Sequence, residues 1–213
     1  MPDRAIVFID GSNWYHGLLR AGVRDRAGLD YARICEKLVG PREWVATRYY
    51  IGRVMQEGNT ALYAQQRNFL ATLGKSDSRI SVHFGRIEPR RVENKAANEL
   101  RHYLAGLQAR IDAEVYADLI AIAQRHSEAE LFVDKAVDVF LAVDLVTMAV
   151  NDQYDAAYLL TADGDFTPAV NAARALGKKI YAASPLLGRQ LSNAVTAFIN
   201  LRREWFDDCY AAG

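Results

Sequence analysis

The chain has 213 residues, 51% hydrophobic and 24% charged, enough for a globular domain whose core needs no staple. Lysine plus arginine and aspartate plus glutamate both number 26, so no global charge attracts nucleic acid and any basic surface must be local. Cys35 and Cys209 are the only cysteines, which excludes a cysteine-only zinc site and reads as two free thiols in a reducing compartment.

Met1-Pro2-Asp3-Arg4 leads straight into Ala5-Ile6-Val7-Phe8-Ile9. This unbroken apolar run with β-branched residues predicts a strand covered on both faces. The opening is too short for a signal peptide, and the longest apolar run, Val139 to Val150, is too short to span a membrane, so a cytoplasmic protein without membrane contact is expected. The strand stops at Asp10-Gly11, and Ser12 to Leu19 read as helix. Asp30 is a candidate N-cap for a second helix to Leu38. Trp44 to Ile51 reads as a second strand. Asn59 to Leu73 carries an amphipathic helical pattern with Gly74 as its stop, and Ile80 to Ile87 reads as a third strand.

From Val92 to about Arg125, Leu100, Leu104, Leu107, Ile111, Val115, Leu119 and Ile122 recur every three or four residues without a strand. The stretch reads as a helical insertion, approximately 92–127: one long helix, a hairpin broken near Gly106, or another core helix. Val139 to Val150 follows as a buried helix, Tyr158 to Thr161 as a fourth strand, and Phe166 to Leu176 as a helix ended by Gly177. Lys179 to Ala183 gives a fifth strand, and a last helix lies near Arg202 to Tyr210. The alternation predicts the α/β class: a three-layer sandwich on a mostly parallel sheet of about five strands, in one domain of residues 1–213.

Ligands of open α/β sheets gather beyond the carboxyl ends of the strands, and this chain delivers aspartates there. Asp10 ends the first strand, and Asp163 and Asp165 follow the fourth in Thr161-Ala162-Asp163-Gly164-Asp165-Phe166. Asp138 and Asp144 lie at the start of, and within, the helix that feeds that strand. Each acid also has a plain structural use. Asp10 could order its turn, one of Asp163 and Asp165 could cap the next helix, and Asp138 could answer a helix dipole. Asp144 lies in Phe140 to Val146, apolar on every helical face, so it is expected to be buried and to protonate, pair or bind a metal.

Two carboxylates about 4 Å apart repel by about 4 kcal/mol at an effective dielectric near 20, so a cluster of them asks for a cation. All-oxygen ligands suit Mg²⁺ or Mn²⁺. Such an ion beside a basic groove is an arrangement for phosphodiester hydrolysis. His16, His83, His102 and His126 show no metal-ligand spacing and read as structural or surface residues.

Three segments in order resemble the NYN domains, PIN-like nucleases, and most of all their LabA-like group. They are Phe8-Ile9-Asp10-Gly11-Ser12-Asn13, Lys135-Ala136-Val137-Asp138-Val139 with Ala142-Val143-Asp144-Leu145, and Asp163-Gly164-Asp165-Phe166. The resemblance implies a PIN-like fold, Mg²⁺ or Mn²⁺, and RNA cleavage. It carries over Asp10, Asp144, Asp163 and Asp165 as catalytic, metal-binding acids, with Asp138 a further ligand. It implies that Asn13 holds a substrate phosphate or a metal-bound water and that Lys135 contacts the RNA backbone, with Ser12 and Thr161 adding hydroxyls on the substrate side. The family's Ser-Gly before Asp-Gly-Asp is Thr161-Ala162 here, and its aspartate before Phe-Ile is missing before Phe198-Ile199.

For RNA contact, Arg86, Arg90, Arg91, Lys95 and Arg101 form the densest basic stretch, but Glu88, Glu93 and Glu99 interleave as on a solvated face. Trp14 and Tyr15 could stack on bases or serve the core. Ser12 stands where a haloacid-dehalogenase-like phosphatase would want an aspartate. Asp10 stands where a TOPRIM enzyme would want a glutamate, and the Gly-rich loop of a nucleotide-binding fold is missing. The remaining alternative is a non-catalytic RNA-binding or regulatory module that retains the fold. The insertion's apolar stripe would be covered in a homodimer, with Leu104, Ile111 and Leu119 near the contact.

Overall fold

The structure is a computed structural model that describes residues 1–54, 60–126 and 128–210; the side chains of 62, 74–75, 86–93 and 128–135 are outside that description. In chain order the elements are β1 (Arg4–Asp10), α1 (Gly11–Arg20), α2 (Tyr31–Val39), β2 (Glu43–Gly52) and α3 (Thr60–Ser76). There follow β3 (Ile80–Glu93), α4 (Lys95–Ala105), α5 (Ala113–Arg125), β4 (Glu128–Lys135) and α6 (Val137–Val150). The chain then runs through β5 (Ala156–Leu160), α7 (Thr167–Ala175), β6 (Lys179–Ser184), α8 (Arg189–Ala194) and β7 (Ala197–Asn200).

Sheet order is β4-β3-β2-β1-β5-β6-β7. β1 pairs in parallel with β2 and with β5, and the pairs β2–β3, β5–β6 and β6–β7 are parallel as well. The chain steps outward from β1 through β2 to β3, then resumes on the other side of β1 at β5. The order therefore reverses between β1 and β5, the place where an open α/β sheet leaves a crevice at its strand ends. β1 is apolar from Ala5 to Ile9 because both its faces are covered. Ala5, Val7 and Ile9 enter a core with Trp14, Leu18, Ile34 and Cys35 of α1 and α2. Ile6 and Phe8 enter a second core with Leu141, Leu145, Val170 and Leu191 of α6, α7 and α8. This is the expected three-layer α/β sandwich.

Several boundaries differ from the sequence reading. The sheet has seven strands rather than about five. α3 runs through Gly74 to Ser76, and Asn59 is outside the described residues. The expected last helix is only a 3₁₀ turn at Arg203–Phe206. β7, four residues long, and α8, six, are too short for periodicity to reveal. The expectation that α6 is buried all round is overturned. Val137, Leu141, Leu145 and Ala149 face the core, whereas Val139, Phe140, Val143 and Val150 are exposed.

The chain divides into two compact units, one of residues 1–86 with 134–213 and one of residues 87–133. Within the second, α4 and α5 form the hairpin reading of the insertion, with Gly106 as the C-cap of α4. Ala97, Leu104 and Ala123 are buried, while Leu100, Tyr103, Val115, Leu119 and Ile122 remain exposed. β4 was not anticipated, because Glu128-Ala129-Glu130 opens it with charges. Among the described residues no helix is long and apolar enough to cross a membrane. Cys35 and Cys209 are free and buried, and burial pushes the Cys35 thiol up to about 12, which leaves it inert.

Candidate active site

The crevice between β1 and β5 begins at Asp10, whose side chain is the N-cap of α1: its Oδ1 accepts from the Asn13 backbone N–H at 3.1 Å. The next residue has to be glycine. A Cβ on Gly11 would lie 2.6 Å from a Tyr49 ring carbon and 2.7 Å from the Tyr50 carbonyl oxygen. α1 therefore starts hard against β2, and Asp10 is held at the sheet edge.

The end of β5 is tied to the same point. Thr161 donates its hydroxyl to Asp10 Oδ2 at 3.1 Å and accepts from the Asp163 N–H at 3.1 Å. The Asn13 amide oxygen accepts from the Ala162 N–H at 3.1 Å. Asp163 caps the 3₁₀ turn Gly164–Phe166 by accepting from the Asp165 N–H at 2.9 Å. The loop before α8 presses on this strap, since a Cβ on Gly188 would meet the Ala162 carbonyl oxygen at 2.6 Å.

An open cleft of about 320 Å³ lies over these groups. Asp10, Asp138 and Asp163 line it, with Ser12, Asn13, Val137 and Leu186. So do His16, which the sequence reads as a structural or surface residue, and Arg20, which it does not single out. Their signal was present, because Ser12, His16 and Arg20 recur every four residues and so share one face of α1. The third acid arrives on the first turn of α6. That helix opens without a side-chain cap, on Ala136 at φ 67°, a left-handed conformation that costs a non-glycine residue about 1–2 kcal/mol.

Two expected acids stand elsewhere. Asp165 is exposed and does not line the cleft. Asp144 does not line it either, and the premise that singled it out is corrected: it is neither fully buried nor unpaired. Its Oδ2 accepts from Arg48 Nη2 at 2.9 Å and from the Tyr50 hydroxyl at 2.7 Å, while Arg48 Nε donates to that hydroxyl at 2.9 Å. His83 completes the cluster, its Nδ1 3.3 Å from Arg48 Nη2; burial and the Arg48 charge lower its pKa.

The Lys135 side chain is outside the described residues, as are those of Arg86, Arg90 and Arg91; Lys95 and Arg101 are exposed on α4. Trp14 is core, buried against Phe206 with ring centroids 5.9 Å apart, whereas Tyr15 is 48% exposed.

Asp10 is 3% exposed. Desolvation, with Asp138 and Asp163 adding repulsion, raises its pKa from 3.8 to about 6 against the lowering effect of its hydrogen bonds from Asn13 and Thr161. Among the described residues no three carboxylate, histidine or cysteine side chains converge enough to hold an ion as they stand. The donor set still suits a hard divalent ion, since Asp10, Asp138 and Asp163 offer oxygens to one opening and a cation would relieve their repulsion.

A family model, that of the NYN domain, matches residues 4–202. A solved structure, a protein of unknown function from Vibrio parahaemolyticus RIMD 2210633, superposes with a TM-score of 0.57 at 16% identity. The match covers 98% of this chain and 96% of that one, which shows a shared fold. No curated protein sequence matches the chain.

Proposed function

Because the chain belongs to the NYN domain family, within the PIN-like nuclease superfamily, we propose that it is a metal-dependent ribonuclease holding Mg²⁺ or Mn²⁺ at Asp10, Asp138 and Asp163. The observation that carries this reading is Asp10 itself. It is buried where the sheet order reverses, the Asn13 N–H and the Thr161 hydroxyl that donate to it are neutral, and two further acids raise its pKa. When bound, the ion supplies a Lewis acid for a phosphoryl oxygen and a more acidic water.

The chain's own residues do the rest. Thr161 and the Asn13 N–H each hold one oxygen of Asp10 and so fix the carboxylate plane. The Asn13 amide oxygen is committed to Ala162, which leaves its NH₂ group, with the Ser12 hydroxyl beside it, to donate to a phosphate. In the reaction a water oxygen bonds to phosphorus and the ester P–O bond breaks. One product then ends in a phosphate and the other in a hydroxyl that has taken up a proton. We further propose that Lys135 contacts the RNA backbone.

The second reading, an RNA-binding module that keeps the fold without turnover, is favoured by the lack of a converged three-acid cluster among the described residues. Single-stranded RNA with Mn²⁺, with EDTA, and with Asp163→Asn separates the two. Cleavage in Mn²⁺ that stops in EDTA and in the variant is expected. Full activity in excess EDTA would overturn the metal mechanism, and RNA binding without cleavage or Mn²⁺ uptake would favour the second reading.

A further inference from the structure

We infer that α1 is the track of the substrate strand. Its His16 and Arg20, one and two helical turns beyond the acidic end of the cleft, bind the phosphates next to the scissile one. The inference rests on the acids being the cutting centre.

Geometry comes first. His16 and Arg20 line the same cleft as Asp10 and Asp163, and their spacing from Ser12 puts all three on one face of α1. That face cannot roll away, because Trp14, Gly17 and Leu18 pin the other side into the core. The helix pitch of 5.4 Å is comparable to the distance between neighbouring phosphates of an extended strand.

Charge comes second. The chain is neutral overall, and a cleft lined only by carboxylates would repel a polyanion. Neither His16 nor Arg20 makes an ion pair or hydrogen bond among the described residues; the exposed Arg20 guanidinium, and beside it the ring nitrogens of His16, whose ring packs edge-on against Tyr15 at 5.6 Å, are left to meet an anion. Arg20 is also a last-turn cation that suits the helix dipole. That role needs no place in the cleft and does nothing for His16.

Fluorescence anisotropy of a labelled single-stranded RNA, read across a salt series in EDTA and in Ca²⁺, tests the assignment on the full chain. Arg20→Ala should weaken binding roughly five-fold at low salt and flatten the slope of log affinity against log salt by about 0.7, the value for one lost contact on a single strand. Arg20→Lys should recover most of both, His16→Ala should lose about two-fold, and Arg33→Ala on α2 should match the wild type. An unchanged slope in Arg20→Ala overturns the inference, as does a wild type that does not bind the RNA. Arg20-dependent binding without cleavage in Mn²⁺ would sink the ribonuclease reading, and α1 would be an RNA-binding face with no scissile phosphate beside it.

Discussion

The cleft at the ends of β1 and β5 and the polar cluster beside α6 each hold an aspartate among apolar neighbours, and they treat it in opposite ways. Asp144 has a guanidinium at 2.9 Å and a phenol at 2.7 Å, so its charge is answered inside the fold. Asp10 is more deeply buried, yet it is met by a backbone N–H and a hydroxyl, with two more acids facing the same opening. Folding alone gives no reason to leave a carboxylate in that state. The answered acid is held by charge and hydrogen bonds together; the other by hydrogen bonds from neutral donors alone, which is the state the proposed ion would relieve.

Activity separates the two regions most. Asp10→Asn and Asp163→Asn should each lower Mn²⁺-dependent RNA cleavage by at least about 100-fold, while Asp144→Asn should lose less than about ten-fold. Initial rates on one RNA substrate decide it. Equal losses at Asp10 and Asp144 would mean that the Arg48–Asp144 pair opens during turnover, and the comparison would break.

Stability should move the other way at Asp10. Its pKa in the folded state is raised from 3.8 to about 6, so the folded protein binds the proton more tightly than the unfolded chain. The contribution of Asp10 to stability therefore falls as pH rises from about 4 through about 6, and the deficit is complete above that. At 1.36 kcal/mol per pH unit the deficit is on the order of 3 kcal/mol. Asparagine keeps the cap and can donate to Thr161 Oγ1 in place of accepting from it. Asp10→Asn should then match the wild type near pH 4 and exceed it at pH 7 in metal-free buffer, measured by urea denaturation. A variant no more stable at pH 7 would show that the repulsion is already relieved.

Asp144→Ala should cost about 2 kcal/mol, between the loss typical of an exposed pair and that of a buried one, since the two side chains are 26% and 29% exposed. The same urea titration reads it, and an unchanged midpoint would make Asp144 a bystander.

Much of this was legible in the chain and some was not, for physical reasons. The apolar run of β1 and the Asp10-Gly11 stop show through because burial on both faces and a backbone contact at 2.6 Å leave few residue choices. Asp163 shows through because a cap needs one acid and the segment holds two. The partners of Asp144 did not, because Arg48 is 96 residues away and nothing local reports a contact across the sheet. The exposed side of α6 hid for a related reason, since Val139 and Val143 have the residue type of a core without its surroundings. His16 and Arg20 were legible as a four-residue spacing, but a histidine search tuned to metal ligands passes over side chains that share a cleft with acids without ligating spacing.

The smallest expected effect tests how Asp144 is answered. Tyr50 is buried, and its hydroxyl both donates to Asp144 and accepts from Arg48 Nε. Tyr50→Phe removes that bridge and keeps the ring, so packing against Phe8 and His83 persists. The groups left behind are about a quarter exposed, so water can replace part of what the phenol gave. The loss should be about 1 kcal/mol, a fall in Tm of roughly 2–4 °C for a chain of this size. In the double variant with Asp144→Ala the two costs should fall short of their sum, because the phenol has lost its acceptor. Full additivity would show that the Tyr50 hydroxyl stabilises the fold independently of Asp144, through Arg48, and the Arg48 guanidinium would then answer Asp144 without it.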